Sequence, residues 1–257
     1  MDDDAFLAHV ADRLAGLPAV RAVSLGGSRA EGTHRPDSDW DFSVYYRGNF
    51  DPQSLRDIGW PGEVSEIGGW GGGVFNGGAW LEVDGRPTDV HYRDLDTIDQ
   101  EIEASYEGRF RIEPLMFHLA GIPSYLVLAE LAVKRVLRGE LPTPDYPLAL
   151  RTEASRTWWD KARRTFDYAR HNHAPYRRLT QCAGLTAQAT SQAAHAVLAG
   201  RGEWITNEKQ LLTKAGLREV DAYFADARPD PGILRDVIDR TRAACANAMR
   251  QAGPLAR

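Results

Sequence analysis

A glycine-rich turn between two strand-like runs, followed by a pair of aspartates, constrains this chain more than any other feature. The turn, Gly-Gly-Ser at residues 26–28, follows the run Val20–Leu25, and Asp39 and Asp41 lie around the start of the run Trp40–Tyr46. Both runs have the length and the β-branched or aromatic content of strands. The segment therefore predicts a strand, a tight turn and a second strand that begins at the two carboxylates.

The residue types around this turn indicate phosphate and metal chemistry. Side chains alternate along a strand, so we expect Asp39 and Asp41 to project on the same face. Neighbouring carboxylates repel each other unless a cation lies between them, and Mg²⁺ is a hard cation that shares oxygen ligands with phosphates. Gly27 leaves the backbone open to a phosphate, and Ser28 adds a hydroxyl. Together they suggest nucleotide chemistry.

A second strand pair supplies another carboxylate. Residues 79–83 and 88–92 have strand patterns and are joined through Asp84-Gly85, a pair that favours a tight hairpin turn. On the second run, Asp89 and His91 face one way and the apolar residues between them face the other. The glycine-rich segment 68–73 predicts a mobile loop without regular structure.

The pattern changes from strand to helix near residue 95. Helical periodicity predicts long helices over 125–138, 148–170, 176–199 and 231–249. A chain of 257 residues is long enough for two modest domains. We therefore expect an α/β domain over residues 1–95, a small mixed sheet flanked by helices, followed by an α-helical domain over residues 96–257.

Composition narrows the class of partner. The net charge of −5 and the isoelectric point near 5.8 argue against a protein that coats nucleic acid. The start of the chain is acidic, and no apolar run approaches the roughly 20 residues that span a bilayer. The two cysteines, Cys182 and Cys245, are expected to be reduced, buried thiols. We expect a soluble, cytoplasmic protein without a membrane partner; the oligomeric state is not predicted.

The segment from Gly27 to Phe42, taken with Asp89, resembles the nucleotidyltransferase superfamily that includes DNA polymerase beta. The resemblance is greatest to the bacterial aminoglycoside and lincosamide nucleotidyltransferases and to the minimal nucleotidyltransferases. It covers residues 20–92, and a following helical domain is typical of the antibiotic-modifying enzymes. Residues 95–257 match no motif that selects one member.

The resemblance implies a role for each of the matching residues. Asp39 and Asp41 are expected to bind two Mg²⁺ ions with the nucleotide phosphates, and Asp89 to be the third carboxylate, at the metal or near the acceptor proton. Gly27 and Ser28 are expected to contact a phosphate. As an alternative, Asp89 is a strand-end acid paired with an arginine, and Ser28 is a simple turn residue.

Three cationic residues are candidates for binding the nucleotide. Arg29 either pairs with phosphate or with Glu31. Lys161 and Lys209 in the helical half are candidate triphosphate contacts, although a solvated helix face is the alternative for each. Glu130 either forms an ion pair with the lysine four residues later on the same helix or acts as the general base for the acceptor.

The expected function is Mg²⁺-dependent transfer of a nucleoside monophosphate, AMP from ATP, to a hydroxyl of a small acceptor. By resemblance, an aminoglycoside-type antibiotic is the first acceptor class. Three alternatives stay open: a nucleotidyltransferase that modifies tRNA or a protein, as in toxin–antitoxin pairs, a housekeeping or biosynthetic enzyme that acts on an unrelated small metabolite, and a catalytically silent nucleotide-binding module. Partners are then a nucleotide and a small molecule, with nucleic acid unlikely.

Overall fold

A computed structural model describes residues 1–71 and 73–253. The chain divides into two compact units: Met1–Glu103 with Ser124–Asp145, and Ala104–Pro123 with the chain from Tyr146 onward. The segment 124–145 thus packs with the first unit, although it follows residue 95 in sequence. The predicted boundary at residue 95 between two domains stays a prediction, because the division into compact units does not test whether the parts fold separately.

The first unit is a mixed six-stranded sheet with helices. Its elements are α1 (Asp3–Ala15), β1 (Val20–Leu25), α2 (Gly27–Glu31), β2 (Trp40–Tyr46), α3 (Pro52–Arg56), β3 (Gly62–Val64), β4 (Gly78–Val83), β5 (Arg86–Asp94), α4 (Leu95–Tyr106), α5 (Leu126–Val133) and β8 (Arg135–Arg138). The strand order is β3-β4-β5-β2-β1-β8, and β2 and β5 are the parallel pair. The predicted strands β1 and β2 are confirmed at both ends, and β4 and β5 confirm the predicted hairpin.

One face of this sheet is the hydrophobic core of the unit. Helix α1 begins after Asp2, whose side chain accepts a hydrogen bond from the Ala5 amide and so satisfies one of the free donors of the first turn. The apolar stripe of α1 is buried together with alternate residues of β1, β2 and β5. The other residues of those strands, including Asp41 and Asp89, must therefore face the opposite side of the sheet.

The predicted helix over 125–138 is wrong in its second half. Helix α5 ends at Val133, Lys134 has an extended backbone, and Arg135–Arg138 forms β8. Strand β8 pairs with β1 and covers what is otherwise an open sheet edge. A tertiary pairing therefore overrides the local helical periodicity of these residues.

The second unit is predominantly helical. It contains β6 (Ile112–Glu113), β7 (Ile122–Pro123), α6 (Leu148–Asn172), α7 (Leu179–Arg201), α8 (Leu211–Ala215) and α9 (Pro231–Gln251), with short 3₁₀ turns at Ala174–Tyr176 and Arg218–Phe224. The predicted helices at 148–170, 176–199 and 231–249 are confirmed within a few residues. Trp158 of α6 is fully buried and stacks on His195 of α7.

Cys182 and Cys245 are both buried and free, as expected. Burial raises the pKa of both thiols, that of Cys245 to about 12, so neither is a ready nucleophile at neutral pH. In the part of the chain that the structure describes, no helix combines the length and the apolar character that a membrane span requires.

Candidate functional site

Asp41 and Asp89 lie side by side on the parallel strands β2 and β5. The two residues are partners in the strand register and therefore project from the same face of the sheet. His91, two residues along β5, faces the same side, and one ligand-type atom from each of the three residues lies within 4.8 Å of the others. Two carboxylates this close have the donor chemistry of a divalent cation site, and the imidazole lies beside them.

The glycine turn packs directly against Asp41. The Gly26 amide donates a 2.8 Å hydrogen bond to the Asp41 carbonyl, which ties the turn to the start of β2. Gly27 has a φ of +59°, and a Cβ added there would lie 1.8 Å from Asp41 Oδ2. Glycine is therefore needed at position 27 both for the backbone conformation and for the close approach of the carboxylate.

Replacing Gly27 by alanine is expected to displace the Asp41 carboxylate and to lower nucleotidyl transfer by at least about tenfold, because misplacing an active-site group by about an ångström costs up to about 10²-fold. Gly32→Ala is the matched control. Gly32 also has a positive φ, +69°, but an added Cβ would meet nothing within 4 Å. The two variants therefore share the backbone strain, and steady-state kinetics with thermal melts separate it from the close approach. Equal activity in the two variants would contradict this account.

Asp39 is not part of the group formed by Asp41, Asp89 and His91 in the described chain. It is exposed and immediately precedes β2, which begins at Trp40, so the strand register does not itself place its side chain beside Asp41. The backbone just before Trp40 is held by another contact. The role of Asp39 as a metal ligand stays a prediction.

Arg29 provides that contact. Its guanidinium donates hydrogen bonds of 2.8 and 3.2 Å to the Ser38 carbonyl and of 3.2 Å to the Asp39 carbonyl. The same group lies 3.9 Å from the centroid of the Trp40 ring, a cation–π contact. In this structure Arg29 positions the chain that leads into β2; its predicted contact with a phosphate stays a prediction.

A buried ion pair contacts His91, one of the three residues of this site. Glu130 of α5 accepts hydrogen bonds of 2.6 and 2.7 Å from Arg93 of β5, whose side chain is 1% exposed. Arg93 Nη2, which donates one of these two bonds, also lies 3.2 Å from His91 Nδ1. A guanidinium only donates, so Nδ1 accepts this bond and the neutral ring carries its proton on Nε2.

The protonation states in this network follow from burial and charge. Burial, reinforced by the Arg93 charge, lowers the pKa of His91 to about 4, so the imidazole is neutral at physiological pH. Burial alone would raise the pKa of Glu130, but the charge and hydrogen bonds of Arg93 override it and hold that pKa below its ordinary value. A carboxylate bound in this way is a weak base, which speaks against Glu130 as the general base.

The alternative helix pair of Glu130 with Lys134 is also wrong. Because α5 ends at Val133, Lys134 is extended and its amine binds the Leu131 and Pro142 carbonyls. Sequence reasoning missed the Arg93–Glu130 pair, since it joins residues 37 positions apart. The alternation of β5 was a usable signal, because it puts Asp89, His91 and Arg93 on one face.

The remaining predicted nucleotide contacts are placed as follows. Ser28 lies in α2 directly after Gly27, and its carbonyl accepts a hydrogen bond from the Thr33 amide. Lys161 on α6 and Lys209 before α8 are exposed residues of the second unit. Their predicted contacts with the triphosphate stay predictions.

Comparison with known proteins places this site in a family. Residues 7–71 match the model of the nucleotidyltransferase domain, about a quarter of the chain. The matched segment contains Gly27, Ser28, Asp39 and Asp41 and ends before Asp89. None of the curated proteins matches the sequence.

Two solved structures are similar over most of the chain. One is a nucleotidyltransferase-like protein from Exiguobacterium sibiricum, at 8% identity and a TM-score of 0.42, covering 95% of this chain and 76% of that one. The other is the spectinomycin adenyltransferase AAD(9) from Enterococcus faecialis with ATP and spectinomycin, at 13% identity and a TM-score of 0.32, covering 95% and 98%. Similarity at these scores carries no information about substrates. Residues 7–71, which contain the glycine turn, Asp39 and Asp41, therefore match a nucleotidyltransferase domain, which is a domain of enzymes.

Proposed function

We propose that the protein transfers AMP from ATP to a hydroxyl of a small acceptor in a Mg²⁺-dependent reaction. The observation that carries the proposal is the alignment of Asp41 and Asp89 in register on parallel strands, with the Gly26-Gly27 turn packed against Asp41. This arrangement offers two carboxylate ligands beside a backbone that a phosphate can approach closely. We propose that the protein acts in the cytoplasm, where ATP is available.

The residues fit the divalent ion that such a reaction needs. Asp41 and Asp89 supply hard oxygen donors, and Asp39 is proposed to join them when the nucleotide is bound. Bound there, two Mg²⁺ ions would neutralise charge on the phosphates and on the attacking and leaving oxygens. The neutral imidazole of His91 adds an N–H donor beside the carboxylates without adding charge.

The chemical step forms one bond and breaks one. The acceptor oxygen attacks the α-phosphorus of ATP, the new O–P bond gives the AMP ester, and the bond from the α-phosphorus to the bridging oxygen breaks to release pyrophosphate. Asp89 is proposed to take the acceptor's hydroxyl proton and pass it to water. Gly27 and Ser28 are proposed to hold the phosphates, so the chain contributes mainly positioning and charge stabilisation.

A panel of acceptors with ATP labelled at the α-phosphate tests the proposal. We expect pyrophosphate release that depends on Mg²⁺ and on a small hydroxylated acceptor, with the label on that acceptor; kanamycin, streptomycin and spectinomycin are the first probes. Chelation of the metal is expected to stop the reaction. Label on tRNA or protein in place of small molecules would support the macromolecular alternative, and ATP binding without pyrophosphate release under any condition would support the silent module.

A further inference from the structure

Trp80 is a large aromatic residue exposed beside the carboxylates. It lies on β4, and 44% of its surface is accessible. In the antiparallel register of β4 and β5, Trp80 is the partner of Asp89, so both project from the same face of the sheet. The indole is therefore a direct cross-strand neighbour of the carboxylate proposed to meet the acceptor, on the side opposite Asp41.

Trp70 and Trp80 together form a larger aromatic surface. The Trp70 ring stacks on Trp80 with centroids 4.9 Å apart and an interplanar angle of 23°. The centroids of Trp70 and His91 lie 5.7 Å apart, with the two rings in a T-shaped arrangement. Gly78 makes room for the Trp70 ring, since a Cβ there would lie 2.3 Å from Trp70 Cη2. Sequence predicted a mobile loop over 68–73; residue 72 lies outside the described chain, but Trp70 of that loop lies on the sheet. We call these stacked rings the Trp70–Trp80 platform.

Acidic residues flank the platform on the sheet. Glu63 on β3 is the register partner of Trp80 on one side, as Asp89 is on the other. Glu82, two residues along β4, projects from the same face, and Glu63 and Glu82 are both exposed. An aromatic face bordered by carboxylates attracts a cation through both the ring quadrupole and the charges, and it repels a phosphate.

The position of the platform in the strand order favours the acceptor as its ligand. In the strand order β4-β5-β2-β1, Trp80, Asp89 and Asp41 lie on successive strands, and the glycine turn at the end of β1 packs against Asp41. In an in-line displacement the attacking and leaving oxygens lie on opposite sides of the phosphorus. If the phosphates lie at the turn, the acceptor approaches from the side of β4.

We infer that the Trp70–Trp80 platform is the acceptor subsite and that it takes a hydroxylated ring carrying an ammonium group, such as an aminosugar or aminocyclitol. The ammonium lies over the face of the indole, between Glu63 and Glu82, and a ring hydroxyl points toward Asp89. This inference rests on the proposed function, because it assigns the acceptor of that reaction.

Kanamycin, a polycationic aminosugar, is the probe for the platform. Trp80→Ala is expected to weaken kanamycin binding in calorimetry and to raise its KM about tenfold, which is the size of a partly desolvated cation–π contact, with the KM for ATP unchanged. Trp80→Phe is expected to retain most of the affinity. Tyr176→Ala, which removes an exposed aromatic residue of the second unit, is expected to bind kanamycin as the wild type does.

The carboxylates give an independent test of the charge requirement. The double variant Glu63→Gln, Glu82→Gln keeps the platform and removes two negative charges, so kanamycin is expected to bind several-fold more weakly, with a smaller dependence on salt. Melting temperatures of all variants show whether the fold is intact.

The outcomes separate the subsite from the reaction. Transfer of AMP to kanamycin with an unchanged KM in Trp80→Ala would overturn the platform and leave the proposed function standing. Calorimetric binding of kanamycin that Trp80→Ala abolishes, without any AMP transfer by the wild type, would support the platform and refute the proposed function. A wild type that does not bind kanamycin at all overturns the inference.

Discussion

Asp41→Asn and Asp89→Asn are each expected to lower kcat for nucleotidyl transfer by about 10³-fold or more. Losing one metal-holding charge removes several kcal/mol of transition-state stabilisation, and about 4 kcal/mol corresponds to about 10³-fold in rate. Asparagine keeps the shape of the side chain, so the variants are expected to fold. The loss should appear in single-turnover experiments at saturating ATP and acceptor, where binding no longer limits the rate.

The same variants are expected to gain stability although they lose activity. Asp41 and Asp89 are neighbours in register and repel each other when no cation is bound, so either substitution is expected to raise the melting temperature of the metal-free protein. Added Mg²⁺ is expected to stabilise the wild type and to have little effect on the variants, because only the wild type binds it well. An equal response to Mg²⁺ in wild type and variants would contradict the metal assignment.

Two nearby aspartates serve as comparisons. Asp37→Asn removes an exposed acid that pairs with Arg35, and we expect wild-type activity. Asp39→Asn is expected to lose transfer, as the family resemblance implies, but to keep the response to Mg²⁺ in the absence of nucleotide, because Asp39 lies outside the group formed by Asp41, Asp89 and His91. A melt with Mg²⁺ alone and with Mg–ATP distinguishes these two contributions.

Much of this site could be predicted because its signals are local. Short runs of consecutive residues show both the strand alternation and the spacing between the glycine turn and the aspartates. These two patterns predict β1, β2 and the β4–β5 hairpin. The juxtaposition of Asp41 and Asp89 depends on one further feature, the parallel pairing of β2 with β5, which only the structure shows.

What could not be predicted depends on contacts between distant residues. Residues 134–138 have a helical pattern, yet they form β8 because the open edge of β1 offers a ladder of hydrogen bonds. The position of Asp39 depends on Arg29, which holds the backbone ahead of β2. Trp70 looked like part of a glycine-rich loop, and only the missing side chain of Gly78 explains why its ring can lie on the sheet.

Glu130→Ala is expected to destabilise the protein by about 3–5 kcal/mol, because it leaves the buried Arg93 guanidinium without its partner. For a unit of this size, that change corresponds to a fall in the melting temperature of about 10 °C. Glu66→Ala is the matched control. It removes an ion pair with Arg56 that is largely exposed, and we expect a loss of at most about 1 kcal/mol.

The double variant Arg93→Met, Glu130→Leu tests whether the penalty comes from the unpaired charge or from the lost bond. Replacing both partners by apolar residues removes the buried charge altogether, so the double variant is expected to be more stable than Glu130→Ala. If the double variant is the less stable of the two, the strength of the hydrogen bonds, and not the cost of burying an unpaired guanidinium, determines the effect.

The pH dependence of this stability has a definite sign. Arg93 holds the pKa of Glu130 below its ordinary value, so the pair stabilises the folded state at pH values above the pKa of an unfolded glutamate. That contribution is lost as the pH falls through the lowered pKa in the folded protein. The difference in melting temperature between wild type and Glu130→Ala is therefore expected to be largest near neutrality and to shrink on acidification below about pH 4. Arg93 also donates a hydrogen bond to His91, so the ion pair that stabilises the unit holds the imidazole beside the carboxylates. Loss of the Arg93–Glu130 pair is therefore expected to displace His91 as well.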